Sequence, residues 1–298
     1  MKRKALWTAV AVVLLAALAA GQDREQYLDV YTAQVKPEKR AEFDALSKKM
    51  VAANRQSNGD AWLTMETIYG PGDRVTFISL RNSYGDAEQA TGAFFGAIQK
   101  TYGKAATEKL FQEFSQCLVS SRSEFRRRRW DLSSNAPADG AAMAKMLGDS
   151  RYLRTTIVHV KPGQVAAFEE LLKETKAARE KASPPLTTLV SQAVAGQEGT
   201  VFYVTILQSS LAGYDTLPTM QQMLGDEGYA KFLKTNADAV ENTETVINRF
   251  LPELSNAPEQ VAAIAPEYWR PKTMAAKSET AKPPAVNAAE TKKMHDKK

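Results

Sequence analysis

In the first half of the chain, apolar residues follow a strand-type pattern in some segments and a helix-type spacing in others. Together these patterns predict six secondary-structure elements. Residues 27–35 are rich in β-forming side chains, and Pro37 suits the first position of a helix that follows. Phe43, Leu46 and Met50 recur at spacings of three and four, which gives that helix one apolar face. The other predicted elements are strands at 62–69 and 75–81, a helix over 86–99 and 105–114 that is interrupted near Gly103, and a strand at 117–127. The predicted order is strand, helix, strand, strand, helix, strand.

The same order returns about 125 residues later in the chain. The motif V-K-P-x5-F leads into the first helix of both copies, starting at Val35 and at Val160. Both copies also end in S-N-A-P, at 134–137 and at 255–258. Predicted strands of the second copy include 186–194, 201–208 and 244–250. We therefore predict a first repeat at 22–134, a linker with one short helix at 135–150, and a second repeat at 151–256.

The two ends of the chain differ from the repeats in composition. Residues 1–21 begin with three basic residues, continue as an apolar run and end in small residues, which is typical of a cleaved export signal. The apolar run is shorter than the roughly 20 residues that span a bilayer. We therefore expect a periplasmic or extracellular protein without a permanent membrane span. A C-terminal arm is predicted at 257–270, and a disordered Lys/Ala/Pro-rich tail at 271–298.

Charge and cysteine content exclude several classes of function. The net charge is +5, but the first 21 residues carry three positive charges and the last 28 carry a net +4, so residues 22–270 sum to −2. A slightly acidic body lacks the basic surface of a nucleic-acid-binding protein. The single cysteine, Cys117, excludes an internal disulfide, and we expect it to be a buried strand thiol. No clustered ligand set predicts a metal site or another cofactor.

Strand-helix-strand twice over is typical of the ferredoxin-like fold, an antiparallel sheet with both helices on one face. The fold class predicted is α+β, with two tandem βαββαβ repeats whose sheets pack together as an intramolecular α/β barrel. By element order, by the repeat and by V-K-P-x5-F, the chain resembles the dimeric α/β-barrel superfamily, which includes antibiotic-biosynthesis monooxygenase-like and NIPSNAP-like domains. The resemblance implies a small-ligand pocket between sheet and helices. In that superfamily some members oxidise the ligand without a cofactor and others bind haem.

Several residues are candidates for that pocket. His159 is the only histidine before residue 295, and its counterpart in the first repeat is Gln34. His159 is the candidate catalytic base or haem ligand, and hydrogen bonding at a polar strand end is the alternative for both residues. Further candidates for ligand binding are the strand residues Tyr31, Trp62, Glu66 and Tyr203, for which core packing is the alternative.

Charged residues near the last strand of each repeat form a second candidate group. Glu124 and Arg249 are one repeat apart, which predicts that both lie at an inter-repeat contact. They would form an ion pair there or remain separate solvated strand ends, and substrate recognition is the alternative. Arg126 to Arg129 form a run of four arginines. Because side chains on a strand alternate between its faces, we expect no single basic patch there and a solvated strand exit, with contact to an anionic ligand or a membrane surface as the alternative.

Three hypotheses for function stay open. The first is an exported protein that binds a small, mainly apolar ligand in a sheet-helix pocket. The second is a cofactor-independent monooxygenase-like enzyme with His159 as proton acceptor, and the third is a structural or interaction protein with a solid barrel. In each case we expect a monomer that acts as a pseudo-dimer, and a higher oligomer is the alternative.

Overall fold

A computed structural model describes residues 25–184 and 186–271. The strands are β1 (Tyr27–Val35), β2 (Leu63–Tyr69), β3 (Arg74–Arg81), β4 (Leu118–Arg128), β5 (Tyr152–Val160), β6 (Leu189–Ala195), β7 (Thr200–Gln208) and β8 (Val240–Phe250). The helices are α1 (Arg40–Ser57), α2 (Tyr84–Tyr102), α3 (Lys104–Gln116), α4 (Gly140–Asp149), α5 (Val165–Lys181), α6 (Met220–Ala239), α7 (Glu259–Ala262) and α8 (Pro266–Trp269). Short 3-10 turns lie at Pro37–Lys39, Leu211–Tyr214 and Pro252–Leu254.

All eight strands form one closed antiparallel barrel in the order β1-β3-β2-β8-β5-β7-β6-β4. Each repeat contributes four neighbouring strands, in the ferredoxin-like order 4-1-3-2. Two seams join the repeats, where β2 pairs with β8 and β4 pairs with β6. Closing the barrel pairs the edge strands that each repeat alone would expose. The predicted fold class is confirmed, while the boundaries of the repeats stay predictions.

Helices cover the outer face of the barrel in both repeats. In the first repeat, Phe43 and Met50 of α1 and Phe114 of α3 pack against the outward side chains of β1 and β3. In the second repeat, Phe168 of α5 packs against Phe202 of β7, with ring centroids 5.2 Å apart. The V-K-P-x5-F motif supplies the phenylalanine in each of these two cores. The predicted break near Gly103 separates α2 from α3.

A small cap formed by α4, α7 and α8 covers one end of the barrel. Trp269 is fully buried in it, where its ring contacts Phe250 and its Nε1 donates to the carbonyl of Gly148 over 2.9 Å. A Cβ on Gly148 would lie 2.5 Å from the Cβ of Ile264, so α4 and the C-terminal arm approach closely because residue 148 has no side chain. The arm 257–270 is therefore part of the packed structure.

The predicted export signal and tail lie outside the described residues, except for residue 271. Within residues 25–184 and 186–271, no helix is both long enough and apolar enough to cross a membrane.

Candidate functional site

The barrel interior contains a cavity of about 510 Å³. Side chains on each strand alternate between the helices and this interior, which we call the lumen. On β5, for example, Leu153, Thr155, Ile157 and His159 line the lumen, whereas Val158 packs under the helices. The predicted pocket between sheet and helices is therefore wrong, since apolar clusters fill that space and the cavity lies between the two sheets. The cavity also contradicts the third hypothesis, in which side chains fill the interior of the barrel.

The two ends of the lumen differ in chemistry. At the mouth end, the hairpins 70–73 and 196–199 surround polar lining residues, namely Gln34, Arg74, Ser120, Arg122, His159, Gln197 and Glu244. At the capped end, apolar residues dominate, namely Leu28, Leu63, Met65, Leu153, Leu189, Leu207 and Phe250 of the strands with Met143, Leu147 and Val261 of the cap. A molecule in the lumen would thus meet apolar walls at one end and polar groups at the other.

A buried hydrogen-bond network crosses the β4–β6 seam inside the lumen. The Glu124 carboxylate accepts hydrogen bonds from Arg126 Nε at 2.8 Å, from the Tyr203 hydroxyl at 2.6 Å and from Gln197 Nε2 at 2.9 Å. The Arg126 guanidinium also lies 3.5 Å from the centre of the Tyr203 ring. Burial raises the pKa of Tyr203, so its hydroxyl stays protonated and donates. Both oxygens of Glu124 are therefore occupied by partners within the protein.

Gly196 allows this network to form. Its φ of +85° is in the left-handed region, which favours glycine. A Cβ there would lie 2.1 Å from the carbonyl oxygen of Ser123 on β4. The hairpin 196–199 can therefore approach β4 closely enough for Gln197 to reach Glu124.

Arg128 lies further toward the capped end on the same face of β4. Only 8% of the residue is exposed, and it lines the lumen opposite Ser191 of β6. Its Nε is buried and has no hydrogen-bond partner among the described residues, and the guanidinium lies 5.6 Å from the ring centre of Trp130. Burial, and then the nearby charge of Arg126, lower the pKa of Arg128 to about 10. Arg128 is thus still charged at neutral pH.

Four of the six predicted pocket residues line the lumen. His159 and Gln34 lie near the mouth, Tyr203 lies in the network and Trp62 lies toward the capped end. Trp62 also donates from Nε1 to the carbonyl of Leu254 over 2.9 Å, so it is a core residue as well.

Tyr31 and Glu66 point away from the lumen. Tyr31 packs against the outer core with Phe77. Glu66 lies on the outer face of β2, where it accepts hydrogen bonds from Arg40 at 2.9 Å and from Arg249. Burial alone would raise the pKa of Glu66, but the hydrogen bonds from the two arginines outweigh it and hold that pKa below its usual range.

Glu124 and Arg249 each contact the other repeat, but they do not pair with each other. Leu28 pairs with Arg126 in the first repeat and Leu153 pairs with Asn248 in the second, so the last strands correspond at an offset of 122 residues instead of 125. Glu124 and Arg249 consequently lie at different seams and on different faces. Each contacts the other repeat through different partners, Tyr203 for Glu124 and Glu66 for Arg249.

The prediction of a solvated arginine run is also wrong in part. The faces do alternate, since Arg126 and Arg128 line the lumen while Arg127 is exposed. Arg129, however, is 9% exposed and donates hydrogen bonds to Asp131, Glu169 and Gln192. The lumen positions of Arg126 and Arg128 were missed, although the parity that they share with Glu124 could have indicated them.

Side chains that could hold a metal ion are not clustered in the described residues. No group of three His, Cys, Asp or Glu side chains converges anywhere in residues 25–184 and 186–271. His159 faces the lumen from a strand, and a core cluster fills the sheet-helix space on the other face. Cys117 is buried directly before β4, not within a strand as predicted, and burial raises the pKa of its thiol.

Comparison with solved structures finds similar folds at low sequence identity. One is a candidate monooxygenase from Lactobacillus acidophilus, at 9% identity and a TM-score of 0.46, covering 76% of this chain and 93% of that one. Another is an anthrone oxidase-like protein, at 14% identity and a TM-score of 0.49, covering 78% and 93%. A mutant chlorite dismutase from Candidatus Nitrospira defluvii follows at 12% identity and a TM-score of 0.43, covering 76% and 92%. No family model and no curated protein matches the chain. The similarity concerns the fold, and the candidate site rests on the geometry of this chain.

Proposed function

We propose that the protein binds a small, mainly apolar ligand inside the barrel lumen. The observation that carries this proposal is the cavity of about 510 Å³ enclosed by the two sheets. Its size is within the roughly 300–1,000 Å³ range of small-molecule sites, and such sites combine apolar walls with a few polar groups. The lumen has that composition, with leucines at the capped end and the Glu124 network at mid-depth.

A direct test uses N-phenyl-1-naphthylamine, a neutral apolar probe whose fluorescence rises in an apolar site. We expect saturable binding of one probe per chain. Replacing Thr76, which lines the lumen, in a Thr76→Trp variant would fill part of the cavity and weaken binding at least tenfold. The matched control is Thr243→Trp, which places the same side chain at an exposed position on β8. Equal binding by the two variants would show that the probe does not occupy the lumen.

The enzyme hypothesis is the second candidate, and the position of His159 favours it. The imidazole lines the polar mouth of the cavity, where a ligand bound in the lumen would be within its reach. A neutral imidazole can accept a proton from a bound substrate. The probe reaction is oxygen uptake with anthrone, in which one O2 converts the CH2 group to a carbonyl and releases water. The expected result is uptake by the wild type and a large loss in His159→Gln, which copies Gln34 of the first repeat. Uptake that is absent, or unchanged in the variant, would remove this candidate.

Export is part of the proposal and rests on the composition of residues 1–21. The intact mass of protein recovered from the exported fraction should lack a segment of about that length. Recovery of full-length protein from the membrane fraction would overturn it.

A further inference from the structure

The lumen contains one buried charge that nothing in the described residues neutralises. Arg128 is 92% buried, since 8% of the residue is exposed, and none of the ion pairs formed by residues 25–184 and 186–271 involves it. The nearest carboxylate along β4 is Glu124, which Arg126, Tyr203 and Gln197 already occupy. A buried ion without a counter-ion is costly to keep, so its retention in a cavity wall indicates an occupant that compensates it.

A neighbouring amide does not change this conclusion. Gln26 lies across the ladder from Arg128, whose backbone N–H donates to the Gln26 carbonyl over 2.7 Å. The side-chain Oε1 of Gln26 is buried and accepts no hydrogen bond from residues 25–184 or 186–271. Even a hydrogen bond between these two side chains would leave the charge of the guanidinium uncompensated, because an amide is neutral.

We propose that Arg128 binds the anionic group of the ligand, and that the ligand is an apolar molecule carrying a single carboxylate or similar monoanion. This inference rests on the proposed binding function and names the class of ligand. A guanidinium pairs with a carboxylate through two parallel hydrogen bonds, and a single negative charge makes the pair neutral. The leucine-rich walls around the capped end suit the rest of the molecule.

The overall charge of the lumen agrees with this assignment. Its lining includes four arginines, which are Arg74, Arg122, Arg126 and Arg128, but only two glutamates, which are Glu124 and Glu244. The lumen is therefore positive, whereas residues 22–270 as a whole are slightly acidic. Arg74 and Arg122 near the mouth would attract an anion toward the cavity.

The test compares two probes that share one skeleton, neutral N-phenyl-1-naphthylamine and anionic 8-anilinonaphthalene-1-sulfonate. Wild-type protein should bind the sulfonate more tightly than the neutral probe. Arg128→Met should weaken sulfonate binding by about tenfold or more, the loss expected for one charge-assisted hydrogen bond, and leave the neutral probe unaffected or tighter. Arg127→Met removes the adjacent exposed arginine and should leave both affinities unchanged.

The outcomes separate the two proposals. If neither probe binds the wild type, the binding function and this inference both fall. If the neutral probe binds in the lumen but the wild type does not prefer the sulfonate, or Arg128→Met retains that preference, this inference alone is overturned. Arg128→Lys provides a further check, because it keeps the charge and should retain part of the preference. Melting curves of all variants show whether the barrel is intact.

Discussion

The four-arginine run at 126–129, where β4 ends, permits a stringent test of the structure, because its members have different surroundings. Arg129 donates to both oxygens of Asp131 at 3.0 and 2.7 Å, to Glu169 at 2.5 Å and to Gln192 at 2.9 Å. Glu169 belongs to α5, so Arg129 connects the exit of the first repeat to a helix of the second. We expect Arg129→Met to destabilise the protein.

The expected loss in free energy of unfolding follows from how exposed each hydrogen-bond partner of Arg129 is. The Asp131 side chain is 54% exposed, and an ion pair of that kind contributes about 0–1 kcal/mol. The Glu169 side chain is 26% exposed, so its bond lies at the lower end of the roughly 1.5–3 kcal/mol range for hydrogen bonds to charged groups. Together with the lost bond to Gln192, the expected cost is about 3 kcal/mol. For a body of this size, that corresponds to a melting temperature lower by about 6–12 °C.

Urea denaturation of three neighbouring variants measures this difference directly. Arg127→Met removes an exposed arginine and should change the free energy of unfolding by less than about 0.5 kcal/mol. Arg128→Met removes an uncompensated buried charge and should leave stability unchanged or raise it. Arg129→Met should alone be strongly destabilised. Equal effects at all three positions would refute the reasoning, since they would indicate the uniformly solvated run expected from sequence.

The effect of Arg129 should also depend on pH. The hydrogen bond from Arg129 holds the pKa of Asp131 below its usual range. A carboxyl whose pKa is depressed in the folded state contributes stability above its unfolded pKa of about 3.9 and loses it as the pH falls through the folded pKa. The stability difference between wild type and Arg129→Met should therefore shrink below about pH 4. A constant difference down to pH 2 would show that Asp131 does not take part.

Further predictions concern the cap and the joined repeats. Gly148→Ala should cost about 1–3 kcal/mol in denaturant unfolding because its Cβ has no space, whereas Gly140→Ala, which faces open space, should be neutral. Trp269→Ala should cost about 3–5 kcal/mol, and a change under 1 kcal/mol would show that the arm does not hold the cap. The whole protein should unfold in one calorimetric transition, and the fragment 22–134 alone should aggregate or self-dimerise, since β2 and β4 would be open edges. A soluble monomeric fragment would contradict the shared barrel.

The elements were largely predictable because each has a local signal. The strand predicted at 27–35 is β1, and the strand predicted at 201–208 is β7 with one further residue. Errors are concentrated where the signal is weak, as at the start of β8, which begins at Val240 while the pattern indicated residue 244. Residues 240–243 are mostly exposed and polar, so they lack the apolar alternation that indicates a strand.

The site was less predictable than the fold. Alternation along a strand tells which residues share a face, but it does not tell whether that face meets helices or the lumen. Tyr31 and Glu66 were assigned to a pocket although they lie outside the barrel, and Arg128 was assigned to solvent although it lies inside. A shift of three residues between the last strands also concealed the true partners of Glu124 and Arg249.

By itself the sequence determined the order of elements, the repeat and the fold class, because periodicity and turn residues act over short distances along the chain. The tertiary structure alone decided that the two sheets close edge to edge, that a cavity lies between them, and that Arg128 is enclosed in the cavity wall without a counter-ion among the described residues. These features depend on strand pairings between residues more than 60 apart, such as Arg128 with Ser191. Burial and charge compensation depend on which residues are neighbours in space, so they can be assigned only once the closed barrel is known.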